Sequence, residues 1–232
     1  MNFAPCLDIV RSDKNKAIGN RSYGNTKEDV IKYGIPFMKC LQKNNIISVI
    51  KHFPGHGATN KDSHLLLPKI NNVKKLKSED VKVFESAINE GADAIMISHL
   101  LLKGYGVKPA SINKKIISEL LVNKYNYNGL IVTDDLRMNY LSYLYGLKKM
   151  IKYSINAGNN LLMVKYHNND LKEYKKIMKM IDRLELDIEL INKSAKKILA
   201  IKEKYNINDN LINSKLNIDL INKKIDVINN KM

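Results

Sequence analysis

The chain contains no tryptophan, and only two cysteines, five prolines and four phenylalanines among its 232 residues. Cys6 falls in a strand-like segment and Cys40 in a helix-like one, so the pair makes no disulfide framework and reads as two buried small hydrophobes. No run of about eighteen apolar residues occurs, which excludes a membrane-spanning helix. Met1-Asn2-Phe3 lacks the basic start and apolar core of a secretion signal, so a soluble, cytoplasmic chain is the expectation, although a longer N-terminus could carry a signal. Arginine is scarce: Arg11, Arg21, Arg137 and Arg183 are the only ones. The formal charge of +16 is therefore mostly lysine, scattered among asparagine and isoleucine. Without an aromatic-interleaved basic patch, that composition argues against nucleic acid as a partner.

What is present is β/α alternation around one core, with no solenoid repeat. Strand-like runs recur at Phe3–Ile9, Ile46–Ile50, Ala94–Ser98, Leu130–Thr133 and Asn160–Val164. Helical patterns lie between them. One is capped by Thr26 and turns Val30, Phe37, Met38 and Leu41 inward. A second starts at Ser78, carries Val81, Phe84, Ala87 and Ile88 and ends at Gly91. A third opens at Ser111, and a fourth stops at Gly158. Strands joined by crossover helices form parallel sheets. A later amphipathic helix carries Ile188, Ile191, Ala195, Ile198 and Leu199, and residues 206–232 read as a loosely docked helix or tail.

The densest cluster of chemistry is Lys51-His52-Phe53-Pro54-Gly55-His56-Gly57, followed by Asp62-Ser63-His64. Lys51 and His52 fall at the C-terminal end of a buried strand, where polar groups face ligands in α/β folds. Gly55 and Gly57 permit close backbone approach, placing His56 and the Asp62/His64 pair on a loop. In an extended segment, Asp62 and His64 point the same way, so the carboxylate can fix the imidazole's tautomer and make His64 a proton donor near neutral pH. A solvated loop histidine is the alternative for His64. A metal site from His52, His56, His64 and His99 is another, but these spacings match no common zinc motif, so no metal and no cofactor are expected. Asp134 follows Leu130–Thr133 and should emerge at the same sheet end as Lys51. The Asp134-Asp135 pair equally suits a helix cap. His99 and Asp8 end two other strands; His99 ranks as a secondary site residue and Asp8 as structural. Arg21, between Gly19 and Gly24, suits a site loop or a surface salt bridge.

Taken in order, Asn2–Asp8, Ile18–Gly24, Lys51–His64 and Gly129–Met138 resemble the β-N-acetylhexosaminidases of glycoside hydrolase family 3. The resemblance covers the chain to about residue 205. It implies a TIM-type (β/α)8 barrel, here incomplete and lacking about the first two β/α units, with residues 1–205 as the partial catalytic barrel. It also implies retaining hydrolysis of terminal β-linked N-acetylglucosamine from cell-wall-type saccharides. Asp134 would be the nucleophile and His64 the general acid/base oriented by Asp62, with Arg21, Lys51, His52 and His99 lining the saccharide site. Asn20 stands where the family usually has aspartate, and Arg137 replaces a small residue. The missing units leave open a second reading: an inactive or split fragment that self-associates or needs a complementing N-terminal chain.

Overall fold

The computed structural model describes residues 1–12, 15–59, 67–165, 171–184, 186–207, 223, 226 and 227. Three strands, β1 (Val49–Phe53), β3 (Ala94–Ile97) and β5 (Leu130–Thr133), form a parallel sheet in the order β1-β3-β5. Ala94 pairs with Val49 on one side and with Leu130 on the other. Short parallel strands β2 (Lys69–Ile70) and β4 (Leu101–Leu102) form a separate pair, which two-residue strands without periodicity could not announce in the sequence.

The expected strands at Phe3–Ile9 and Asn160–Val164 are extended segments flanking this sheet through isolated bridges. Asn2 exchanges hydrogen bonds with Ile47 and Val49, and Lys51 N donates to Pro5 O, but Pro5 has no N–H to return. On the far side Met163 N donates to the Thr133 hydroxyl, which interrupts the ladder. The Ile46–Ile50 strand runs later than expected and takes in Lys51, His52 and Phe53. The Lys51–His52 and Phe53–Pro54 peptides are cis.

Alternation sorts β3 cleanly between two apolar layers. Ile95 and Ile97 join the larger core with Val30, Met38, Phe84 and Ile116, while Ala94 and Met96 pack with Val49, Leu130 and Val132 on the opposite face. Helix α1 (Lys27–Lys43) is capped by Thr26, whose hydroxyl accepts from Asp29 N at 3.1 Å and donates to the Asp29 carboxylate. Its buried face is Val30, Gly34, Ile35 and Met38; Phe37 and Cys40 are exposed, contrary to the sequence reading. The next helical stretch begins six residues before Ser78 with Asn72, which caps α2 (Val73–Lys75). π-helical turns at Leu76–Asp80 then lead into α3 (Val81–Asn89). Ser111 lies in a 3-10 turn, and the π-type helix Lys115–Lys124 is capped by Asn113 instead.

Helix α4 (Asn139–Ala157) is kinked at Gly146 and ends at Gly158, whose φ of 105° suits glycine. After α5 (Leu171–Asp182), α6 (Ile188–Lys204) docks under the N-terminal ends of β3 and β5. Lys197 reaches Gly129 O, while Lys204 and Tyr205 hold the buried Asp93 carboxylate. These anchors rotate the helix so that Ile198 and Ile201 cover the second apolar layer. Ile188 and Leu199, expected inward, are 66% and 63% exposed. Among the described residues no helix is long and apolar enough to cross a membrane.

Candidate active site

Parallel strands deliver their C-terminal ends to one rim, and Arg21, His52, His56, Asp134 and Asp135 collect there. A cavity of about 130 Å³ is lined by Arg21, His52, His56, Asp134, Asp135 and Met138, with Ala17 and Ile18. Its support is Asp8. This fully buried carboxylate accepts from His52 Nδ1 at 2.7 Å, His52 N at 3.2 Å and His56 N at 2.6 Å, and Cys6 Sγ lies 3.1 Å away. Burial alone would raise its pKa, but the His52 imidazole and the His56 group outweigh that and hold it at about 2. The Cys6 thiol is pushed up by burial and by Asp8. Cys6, Asp8 and His52 bring three donor atoms within 4.8 Å of one another, and the hydrogen bonds just described account for that closeness.

The loop after β1 is fixed by close backbone contact. A Cβ on Gly57 would lie 1.9 Å from Ile9 O, and Asn15 Nδ2 bridges the His56 and Gly57 carbonyls at 3.1 Å each. Gly55, at φ 129°, packs on Asp80, which Arg11 grips with both guanidinium nitrogens at 3.0 Å. His56 is placed by this scaffold with Nδ1 3.0 Å from Thr59 Oγ1, and its buried Nε2 has no hydrogen-bond partner among the described residues. Burial lowers its pKa, Asp8 opposing. The sequence reading weighed His56 only as a metal ligand. The signal for its role was the Gly-His-Gly frame, which lets backbone approach closely enough to bury an imidazole.

Asp134 emerges directly after β5, its amide donating to Ile97 O at 3.0 Å. Asp135 N donates to Asp134 Oδ1 at 2.8 Å, while Asp135 Oδ1 accepts from the amides of Arg137 and Lys165. The pair is thus divided between a cavity carboxylate and a loop clamp, and α4 starts only at Asn139, so neither caps it. Burial works against the Asp134 charge, but His99, His52 and the Asp135 amide outweigh it and keep the carboxyl below its ordinary range. His99 is buried, with Nδ1 2.7 Å from Ser111 Oγ and Nε2 donating to Asp135 O at 3.0 Å. Both ring nitrogens are therefore committed to the protein, in contrast to the expected saccharide contact. Burial lowers its pKa.

Lys51 is half-buried, and burial together with Arg21 lowers its pKa against the pull of Cys6, Asp134 and Asp8. Arg21 is exposed, its Nε 3.2 Å from Ile18 O and its Nη2 on Ala17 O, so its own loop carbonyls aim it over the cavity. Asp62 and His64 lie outside the described residues, as does the 206–232 tail apart from Asn206, Ile207 and residues 223, 226 and 227.

A fold of parallel strands with polar residues at one rim defines an α/β protein, and comparison with known proteins is specific. Residues 1–201 match the N-terminal domain of glycosyl hydrolase family 3, and the chain belongs to that family. A β-hexosaminidase of Tolumonas auensis is 33% identical over 165 residues, covering 70% of this chain and 49% of its own length. A β-hexosaminidase of Haemophilus influenzae is 31% identical over 188 residues, covering 80% and 51%. The solved family 3 β-N-acetylglucosaminidase from Paenibacillus sp. superposes with a TM-score of 0.84 at 32% identity, covering 93% of this chain and 42% of that one. The chain spans about half the length of the curated relatives it matches.

Proposed function

We propose that this chain carries the catalytic centre of a retaining glycoside hydrolase that releases terminal β-linked N-acetylglucosamine from cell-wall-type saccharides. The observation that carries this reading is a carboxylate kept ionised at the tip of an inner strand, beside a cavity walled by Arg21, His52 and His56. Asp134 attacks the anomeric carbon to form a glycosyl ester as the leaving oxygen takes a proton from His64, which Asp62 orients. Water then attacks the anomeric carbon with His64 as base, the ester bond to Asp134 breaks and frees the carboxylate, and the configuration is retained. Arg21, Lys51 and the free nitrogens of His52 and His56 hold hydroxyls and set the ring for in-line attack. His99 acts through Asp134 and the Asp135 carbonyl as a positioning residue. Residues 1–205 form the part of a TIM-type barrel that lacks about two β/α units.

Hydrolysis of p-nitrophenyl N-acetylglucosaminide, abolished in Asp134→Asn and His64→Ala, is the expected result. Preference for the glucoside overturns the reading. A second reading, a split enzyme that needs a complementing chain, is favoured by the exposed aromatic rings of Phe3, Tyr33 and Phe37. It predicts activity only after a chain supplying the remaining units is added.

A further inference from the structure

The Thr59 hydroxyl meets His56 twice. Its Oγ1 lies 3.0 Å from the ring Nδ1 and 3.1 Å from the backbone carbonyl of the same residue. Both residues are buried, Thr59 at 5% exposure and His56 at 3%, so bulk water does not compete for these contacts.

A hydroxyl carries one proton, and a carbonyl oxygen only accepts. Were the Thr59 proton given to Nδ1, Oγ1 and the His56 carbonyl would face each other as two acceptors. Given to the carbonyl, it leaves Oγ1 free to accept from Nδ1–H, and both contacts are satisfied. The ring proton then sits on Nδ1, and Nε2 is a bare lone pair. That nitrogen is buried, has no hydrogen-bond partner among the described residues, and belongs to a ring that lines the Asp134 cavity. Burial lowers the pKa of His56 against the pull of Asp8, which favours the neutral ring.

The hydroxyl is not needed to hold the loop. The His56 amide is held by Asp8 Oδ1 at 2.6 Å and its carbonyl by Asn15 Nδ2 at 3.1 Å, both without Thr59. His52, whose ring centroid stands 6.1 Å from that of His56, is keyed in the same way, with its Nδ1 on Asp8. An acceptor at Nε2 demands a donor from the ligand. A sugar hydroxyl can donate to it while its oxygen accepts from Arg21, whereas an ether or a fluorine in its place only accepts.

We propose, on the glycosidase reading above, that Thr59 is a positioning residue: its hydroxyl accepts from His56 Nδ1–H, fixes the tautomer, and makes Nε2 an acceptor that selects a donating hydroxyl of the bound sugar.

The test uses the full chain carrying isotopically labelled histidine, with His56 assigned by its loss in His56→Gln. In a proton–nitrogen correlation spectrum of the neutral ring, Nδ1 is expected at the shift of a protonated nitrogen and Nε2 at that of a bare one. The reverse assignment overturns the proposal, and this native spectrum decides the point even where a variant fails to fold by circular dichroism. Thr59→Val keeps the shape and deletes the hydroxyl, so both nitrogens should move toward the averaged shifts of exchanging tautomers; Thr59→Ser should restore them. With p-nitrophenyl N-acetylglucosaminide, Thr59→Val should raise KM about tenfold with a much smaller change in kcat. In a His56→Ala background it should add nothing. Shifts unmoved by Thr59→Val, or a KM penalty that adds in full to that of His56→Ala, overturn the assignment. Among deoxy and deoxyfluoro analogues of N-acetylglucosamine, one ring position should lose equal affinity with either replacement, and His56→Ala should remove that loss. Fluorine matching the native hydroxyl at every position overturns the demand for a donor. Absence of cleavage by the native chain would sink the glycosidase reading, while the nitrogen shifts would still report on Thr59.

Discussion

His52 Nδ1 stands 2.7 Å from Asp8 Oδ2, and that one contact decides how the imidazole addresses the cavity. A carboxylate only accepts, so Nδ1 holds the proton and Nε2 is left for a ligand. The same carboxylate holds the amides of His52 and His56, so tautomer and loop position share one support.

Asp8 therefore makes stability depend on acid. Its folded pKa, about 2, lies below the ordinary carboxylate value, so its contribution is complete above about pH 4 and is lost as pH falls toward 2. The contribution is on the order of 2 kcal/mol. Thermal unfolding at pH 6, 4 and 2.5 should show this loss, and Asp8→Asn should flatten the profile while lowering stability at pH 6 by about 3 kcal/mol. An unchanged profile in the variant would assign the acid sensitivity elsewhere.

His99→Ala is expected to move the acidic limb of kcat/KM to higher pH. With the imidazole gone, burial is less strongly opposed and the Asp134 carboxyl titrates later on the way up. In the native chain that limb should lie below the ordinary carboxylate range. A purely structural role for His99 would lower kcat at every pH and leave the limb in place.

The unpartnered Nε2 of His56 invites a direct check. His56→Ala should raise KM for the aryl N-acetylglucosaminide about tenfold, consistent with one lost hydrogen bond in a desolvated site. Binding of the sugar unaffected by this change would leave Nε2 as an unpaired core atom.

Gly57→Ala should disrupt the site without touching a polar group. Its new Cβ meets the Ile9 carbonyl, which is backbone and has little room to yield, so a loss of about 3 kcal/mol is expected from urea unfolding. A near-native midpoint would mean that the loop after β1 relaxes freely.

Much of the sheet was legible because β3 and β5 are short apolar runs that can only be buried, and Leu130–Thr133 matches its expected range residue for residue. The placement of Asp134 at the rim followed from β5. The helix faces were less legible: on α6 the expected inward set held Ile198, which is packed, but also Ile188 and Leu199, which are exposed, and it left out Ile201, which the polar anchors at Gly129 and Asp93 turn inward. His99 looked like a ligand contact because strand position says nothing of Ser111, twelve residues on, which takes its Nδ1.

The separation in sequence between Asp8 and its partners has a consequence for synthesis. The carboxylate leaves the ribosome 44 residues ahead of the imidazole that will receive it, and Asp134 follows later still. A growing chain supplies this pocket from its foundation outward, with the Asp134 carboxylate and the clamp that Asp135 makes with Lys165 coming after the Asp8 support.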